Sequence, residues 1–291
     1  MNGPTSRFVA LGLGLVFAVL AGRADAAEVR RVSERLVAFS PGGVVRIDDT
    51  NGRLTVEGWS RHDVRIQITR VVRAEDDAKA EELMKELQSD VEVRKNRIDV
   101  ISRFPKRRET IGLWDILGRK VASLQIHYYV QVPNQTNLVL KTTNGEVRVR
   151  GVDGKLDATT TNGDMRIGNL KGEVTLGTTN GEIELTGISG EAVAQTTNGS
   201  VSAQLRGVAS KGIVEIRTTN GNVTVYLPGD LKALLDATTT NGRVSIDFPV
   251  VRQGIGTSKS IRGTIHGGGA TISLGTTNGN VEVRKLGERR P

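Results

Sequence analysis

The sequence predicts an all-β fold: a β-solenoid of two-strand coils about 18 residues long, with one amphipathic helix near its N-terminus. Three observations lead there. The triplet Thr-Asn-Gly occurs eight times, with its asparagine at Asn51, Asn144, Asn162, Asn180, Asn198, Asn220, Asn241 and Asn278. Each repeated copy is followed by apolar residues alternating with polar ones, the signature of a strand with one buried face. Finally, 35 of 291 residues are Gly, whereas 2 Trp, 3 Tyr and 5 Phe are the only aromatic residues. Val, Ile, Leu, Ala and Thr must therefore fill a thin, repetitive core.

The first 26 residues read as a secretory signal peptide. Arg7 supplies the positive start, Phe8–Ala21 the short apolar run, and Ala24-Asp25-Ala26 the small-x-small cleavage pattern. The run is shorter than the ~20 residues of a spanning helix; an uncleaved anchor is the alternative. Cleavage near Ala26 removes Arg7, Arg23 and Asp25, taking the formal charge from +8 to +7. The mature chain, with no transmembrane helix, is expected outside the cytoplasm: periplasmic, surface-bound or secreted. Intracellular nucleic acid is then excluded as a partner, and the charge points to an anionic envelope or surface component. The absence of Cys rules out disulfides, thiolate metal sites, a cysteine nucleophile and a lipidated cysteine.

Residues 27–135 form a mixed, β-rich part. Strand patterns at Val64–Ile68 and Val91–Val100, the latter turning at Lys95-Asn96, flank a predicted helix over Glu75–Gln88, with Ala80, Leu83, Met84 and Leu87 on one face. A solenoid exposes strand edges at its ends, and such a helix is a covering element. Residues 103–120 break the alternation, which returns at Leu124–Val132.

Residues 136–291 form the regular part. From Asn144 the intervals between asparagines are 18, 18, 18, 22, 21 and 37; the last suggests a decayed copy around Gly254–Ser260 and puts Asn278 near the end of the array. Pairs such as Val147/Val149, Met165/Ile167 and Ile183/Leu185 occupy the same positions after each turn, and Leu156/Ala158 or Val174/Leu176 open a second strand halfway through. Asn-Gly between alternating runs is also the strongest hairpin signal, so an antiparallel meander is the competing architecture. A hairpin does not need the second Thr that precedes every copy but the first, whereas stacked coils reward identity. Their asparagine amides can bond as a ladder, the threonines form a β-branched column, and glycine supplies positive φ at repeated corners.

Three stretches carry a resemblance to a known family: VVRIDDTNGRLTVEGW (44–59), HYYVQVPNQTNLVLKTTNGEVRVRGVDGKL (127–156) and IRGTIHGGGATISLGTTNGNVEVR (261–284). In this order, with the coils between them, they resemble the bacterial putative-adhesin family of exported domains of unknown function. The resemblance covers nearly all of the mature chain. It implies a right-handed β-helix-like solenoid and supplies no catalytic residues.

No constellation of catalytic residues and no metal-ligand spacing stands out, and no cofactor motif is present. His127 lies on the polar face of a strand, His62 in a turn, and His266 before a Gly run that lacks the Lys-Ser/Thr of a phosphate loop. Glu146, Asp164 and Glu182 follow successive Asn-Gly pairs and would stack as adjacent carboxylates, with Arg148 and Arg166 beside them to compensate. The binding candidate is the interrupting segment, where Lys106, Arg107 and Arg108 precede Trp114 among apolar residues. The reading that follows is a non-enzymatic, exported, adhesin-like interaction module. A polysaccharide-acting β-helix enzyme and a self-associating structural solenoid are the alternatives.

Overall fold

The computed structural model describes residues 27–105, 123–253 and 257–287; the candidate signal peptide and the 106–122 segment lie outside them. From the N-terminus, β1 (Ala27–Ala38), β2 (Val44–Asp48), β3 (Leu54–Trp59) and β4 (Asp63–Ala74) precede helix α1 (Asp77–Glu86). Then come β5 (Gln88–Arg94), β6 (Arg97–Arg103), β7 (Ser123–Pro133), β8 (Asn137–Lys141), β9 (Val147–Arg150), β10 (Leu156–Thr159) and β11 (Met165–Gly168). The chain continues through β12 (Lys171–Asn180), β13 (Ile183–Asn198), β14 (Val201–Gly207), β15 (Ile213–Asn220) and β16 (Val223–Leu227). It ends with β17 (Ala233–Asn241), β18 (Val244–Ile246), β19 (Val250–Arg252), β20 (Ser260–Ile265), β21 (Ala270–Asn278) and β22 (Val281–Lys285). The fold is all-β, with one helix among the described residues.

Strands on either side of an Asn-Gly pair with the next repeat, not with each other. Those entering the turns form one parallel stack, β8–β10–β12–β13–β15, in which Leu138, Leu156, Val174, Ala192 and Val214 lie in register. Those leaving the turns form a second, β9–β11–β13–β14–β16, with Val147, Met165, Ile183, Val201 and Val223 in register. Because β-strand side chains alternate between faces, every second residue of both stacks points inward, and these columns are at most 2% exposed. Each buried Val, Leu, Ile or Met of these columns contributes about 1.5–3 kcal/mol. No antiparallel hairpin forms at these turns: a solenoid-like stack takes the place of the meander.

Sequence order fails at both ends. The strand entering the last turn, β21, lies between β15 and β17, so Asn278 sits between Asn220 and Asn241. The interval of 37 is therefore not a decayed coil. After β18 the chain lays β20 antiparallel on β17 and β19 antiparallel on β20, then steps back to fill the vacant rung. The N-terminal end mirrors this. The β2–β3 coil lies between β6–β7 on its outer side and β8–β9 on its inner side. Antiparallel strands close that end too, β5 on β6 and β4 followed by β1 on β7. Capping of this kind protects parallel edges from pairing with another chain.

Helix α1 is two residues shorter at each end than its sequence pattern. Asp76 is extended and caps it, accepting from the Lys79 N–H at 2.7 Å, and Leu87 leaves helical geometry. Ala80, Met84 and Leu87 are fully buried, and the helix packs on β4 and β1. One cluster of buried side chains runs from Val37 to Val283.

Candidate functional site

The turn edge is where the repeated residues are spent, and each letter of Thr-Thr-Asn-Gly has its own physical task. The first threonine is buried. Its hydroxyl donates to the glycine carbonyl of the neighbouring coil: Thr196 to Gly181 at 3.1 Å, Thr218 to Gly199 at 2.8 Å, Thr276 to Gly221 at 2.9 Å and Thr239 to Gly279 at 2.8 Å. The second threonine faces solvent. The asparagine amides form a one-directional chain in which Asn241 donates to Asn278, Asn278 to Asn220, and so on through Asn198, Asn180 and Asn162 to Asn144, each at 2.7–2.8 Å. Asn51 departs from it, donating to the Leu124 carbonyl instead.

The glycine is required by crowding more than by φ. A Cβ on Gly181 would lie 2.0 Å from the Gly163 carbonyl oxygen, although its φ is not in the left-handed region. Coils approach so closely here that only hydrogen fits.

Two other glycines behave differently. Gly177 and Gly275 stand on the outer face just before the first threonine, and a Cβ on either would meet nothing closer than 3.5 Å. Their missing side chains help open a groove of about 650 Å³ across successive coils. Exposed Thr179, Thr197, Thr219 and Thr277 line it, with Gln195 and Arg217 on its floor and wall. Arg217 is held by Glu215 at 2.7 Å and reaches the Ser273 hydroxyl at 3.3 Å. The groove thus offers a file of hydroxyls at the ~4.8 Å coil spacing, one amide and one oriented cation.

On the other side of the turns, Glu146 and Asp164 of the predicted row, and Glu184 on β13, are engaged by arginines, while Glu182, the third member of that row, donates its backbone N–H to Asp164 at 3.0 Å. Arg166 contacts Glu146, Asp164 and Glu184, Arg148 bonds Glu146 at 2.7 Å and Arg53 lies 3.2 Å from it. With these carboxylates held by guanidiniums, the row resembles a charge lattice more than an acid–base pair. No group of three or more His, Asp or Glu suited to a metal occurs among the described residues. His127 accepts from the Arg53 N–H at 3.0 Å through Nδ1, and burial followed by Arg53 and Arg30 lowers its pKa. The binding candidates Lys106, Arg107, Arg108 and Trp114 lie outside the described residues.

The sequence reading passed over a buried polar chain at the N-terminal end. In the first coil Asp49 occupies the position of the first threonine, and it is only 4% exposed. Ser102 donates to it at 2.5 Å, lies 2.7 Å from the Tyr128 hydroxyl, and Tyr128 donates to Ser89 at 2.9 Å. Burial pushes the Asp49 carboxyl up to about 6, against the lowering effect of Ser102 and the Thr50 N–H. Burial likewise pushes Tyr128 up to about 12. The signal was present as Asp-Asp-Thr-Asn-Gly, the one copy without a doubled threonine.

A search of curated proteins finds no significant match. Among solved structures, a putative cell adhesion protein from Clostridium sporogenes is similar over 87% of this chain and 99% of that one, at 13% identity and a TM-score of 0.40. A putative adhesin from Bacteroides fragilis covers 88% and 97% at 11% identity and 0.33. A putative lipid binding protein from Parabacteroides distasonis covers 88% and 95% at 10% identity and 0.27. The model of one family, Toastrack DUF4097, matches residues 131–284, more than half of the chain, and the chain belongs to that family.

Proposed function

We propose that this protein is an exported, non-enzymatic surface-interaction module that holds an extended polar polymer, a glycan strand of the cell envelope, along its threonine groove. The groove carries the reading: hydroxyls repeat along it at the coil spacing, Gln195 and Arg217 add directional contacts, and Gly177 and Gly275 keep side chains out of the trough where a Cβ would make only ordinary contacts. A chain of sugar rings running along the stack meets the same donors and acceptors at each coil. In this reading cleavage near Ala26 releases the mature chain outside the cytoplasm, and the coils wind right-handed. The segment with Lys106, Arg107, Arg108 and Trp114 adds a second, salt-sensitive contact to anionic components.

The test is a binding screen of the mature protein against envelope glycans, with Gly177→Leu and Gly275→Leu variants that fill the groove. Expected is binding lost in the filled variants while circular dichroism and melting stay unchanged. Binding that survives both fillings rejects the groove. Deleting residues 105–118 should leave the coils folded, because loop length carries a small entropic cost, and should weaken the salt-dependent part alone. The enzyme alternative draws on the Arg–carboxylate row; glycan cleavage abolished by Asp164→Asn would establish it in place of this reading.

A further inference from the structure

We propose a second binding site, separate from the groove: an anion pocket beneath helix α1 that takes a phosphate ester. A cavity of about 450 Å³ opens between α1, β1, β4 and β5, its polar lining made by Arg31, Ser33, Arg70, Lys85, Ser89 and the one carboxylate Asp90. Arg31 and Arg70 face each other directly across the antiparallel β1–β4 pair, an arrangement that like charges disfavour. Their neutralisation is uneven. Arg31 is paired with Glu81 and Asp90 with Arg103. Arg70, half-buried, has no carboxylate partner among the described residues, where its side chain donates to the Leu87 carbonyl at the end of α1 at 3.0 Å. Burial, then Arg31, lowers the pKa of Arg70, which marks a guanidinium held without compensation. Lys85 has no ion-pair partner among the described residues either.

Two unneutralised cations, two hydroxyls and a partly enclosed volume make a site for a group with several anionic oxygens, which guanidinium binds in forked geometry. The cavity is larger than bare phosphate, so the ligand is an ester with an organic substituent. Ser89 also accepts from Tyr128, so an anion here lies against the chain that runs back to Asp49.

The experiment titrates the mature protein with inorganic phosphate, glycerol 1-phosphate, and vesicles of phosphatidylglycerol or phosphatidylcholine, following isotope-labelled amide shifts of Ser33 and Ser89. Expected is saturable binding of glycerol 1-phosphate, tighter than of inorganic phosphate. The vesicle arms separate a lipid headgroup from a free ester: a response to phosphatidylglycerol only identifies the headgroup as its source. Arg70→Gln should weaken binding at least about tenfold, the value of one charge-assisted bond. Lys85→Gln, which removes no bond of the fold, guards against misfolding of the first variant and should weaken binding by several fold. The groove-filling Gly177→Leu should not alter it, so failure of this site and failure of the groove are distinguishable. Absence of saturable shifts with every probe, or affinity unchanged in both charge variants, overturns the proposal.

Discussion

The five turns from Asn144 to Asn220 and the two ends of the stack are built from the same strands under opposite rules. In the middle, sequence order is spatial order, all pairing is parallel, and each coil repeats its neighbour's bonds. At both ends the order of coils departs from sequence order and antiparallel strands appear, and at the N-terminal end the threonine column gives way to Asp49, Ser102 and Tyr128. A repeat satisfies its polar groups by meeting a copy of itself; a terminal coil has no copy on one side and must recruit different chemistry. Variation is therefore concentrated where the stack stops.

The sharpest way to break the middle is to add one carbon. Gly181→Ala puts a Cβ 2.0 Å from the Gly163 carbonyl oxygen and should cost about 3 kcal/mol or more. Gly229→Ala, with open space around it, should change stability by less than about 0.5 kcal/mol. Thermal or urea melts compare the two, and equal effects would refute close coil approach.

At the N-terminal end the expected change is a gain. The folded-state pKa of Asp49 lies near 6, against 3.8 as the ordinary value, so its ionisation costs the folded state stability. That cost is nil below pH 4, grows between 4 and 6, and is complete above 6. Asp49→Asn should stabilise the protein at pH 8 by up to about 3 kcal/mol, and the gain should vanish at pH 4. A pH-independent difference would show that the carboxyl does not titrate as its burial requires.

The threonine column supplies a smaller contrast. Thr196→Val removes a buried hydroxyl that bonds the Gly181 carbonyl and should cost about 1 kcal/mol. Thr142 begins the column with a buried hydroxyl that has no partner among the described residues, so Thr142→Val should be neutral or stabilising. Smallest is the amide ladder, because its members are exposed. Asn180→Ala and Asn278→Ala should cost about the same, ~0.5 kcal/mol each, since both lie inside the ladder. Asn241→Ala should cost less, having a single ladder bond. A smaller loss at Asn278 than at Asn241 would restore sequence order to the stack.

Much of the candidate site was legible as well. The buried threonine column, two residues before each asparagine, was visible, and so were Glu146, Asp164, Arg148 and Arg166, because an 18-residue period and a two-residue alternation set both the rung and the face of each residue; the exposed second threonines that line the groove were not singled out. The groove was not legible. It depends on Gly177 and Gly275 having room for a Cβ where Gly181 has none, and identical residues in one repeat look alike until neighbouring backbones are placed. Arg31 and Arg70 were equally hidden, being 39 residues apart and joined only by the β1–β4 register.

By itself the sequence determined the strands, their buried faces, the turn chemistry and the preference for stacking, since these follow from local alternation and from repeated identity at a fixed spacing. The tertiary structure alone decided the order of the coils at the ends, the burial of Asp49 and the two cavities. Parallel strands of nearly equal sequence are interchangeable partners, so the local pattern says that β21 must stack but not between which neighbours. That choice is made by what caps the free edge: β20 lies antiparallel on β17, leaving the rung between β15 and β17 for the last coil to fill.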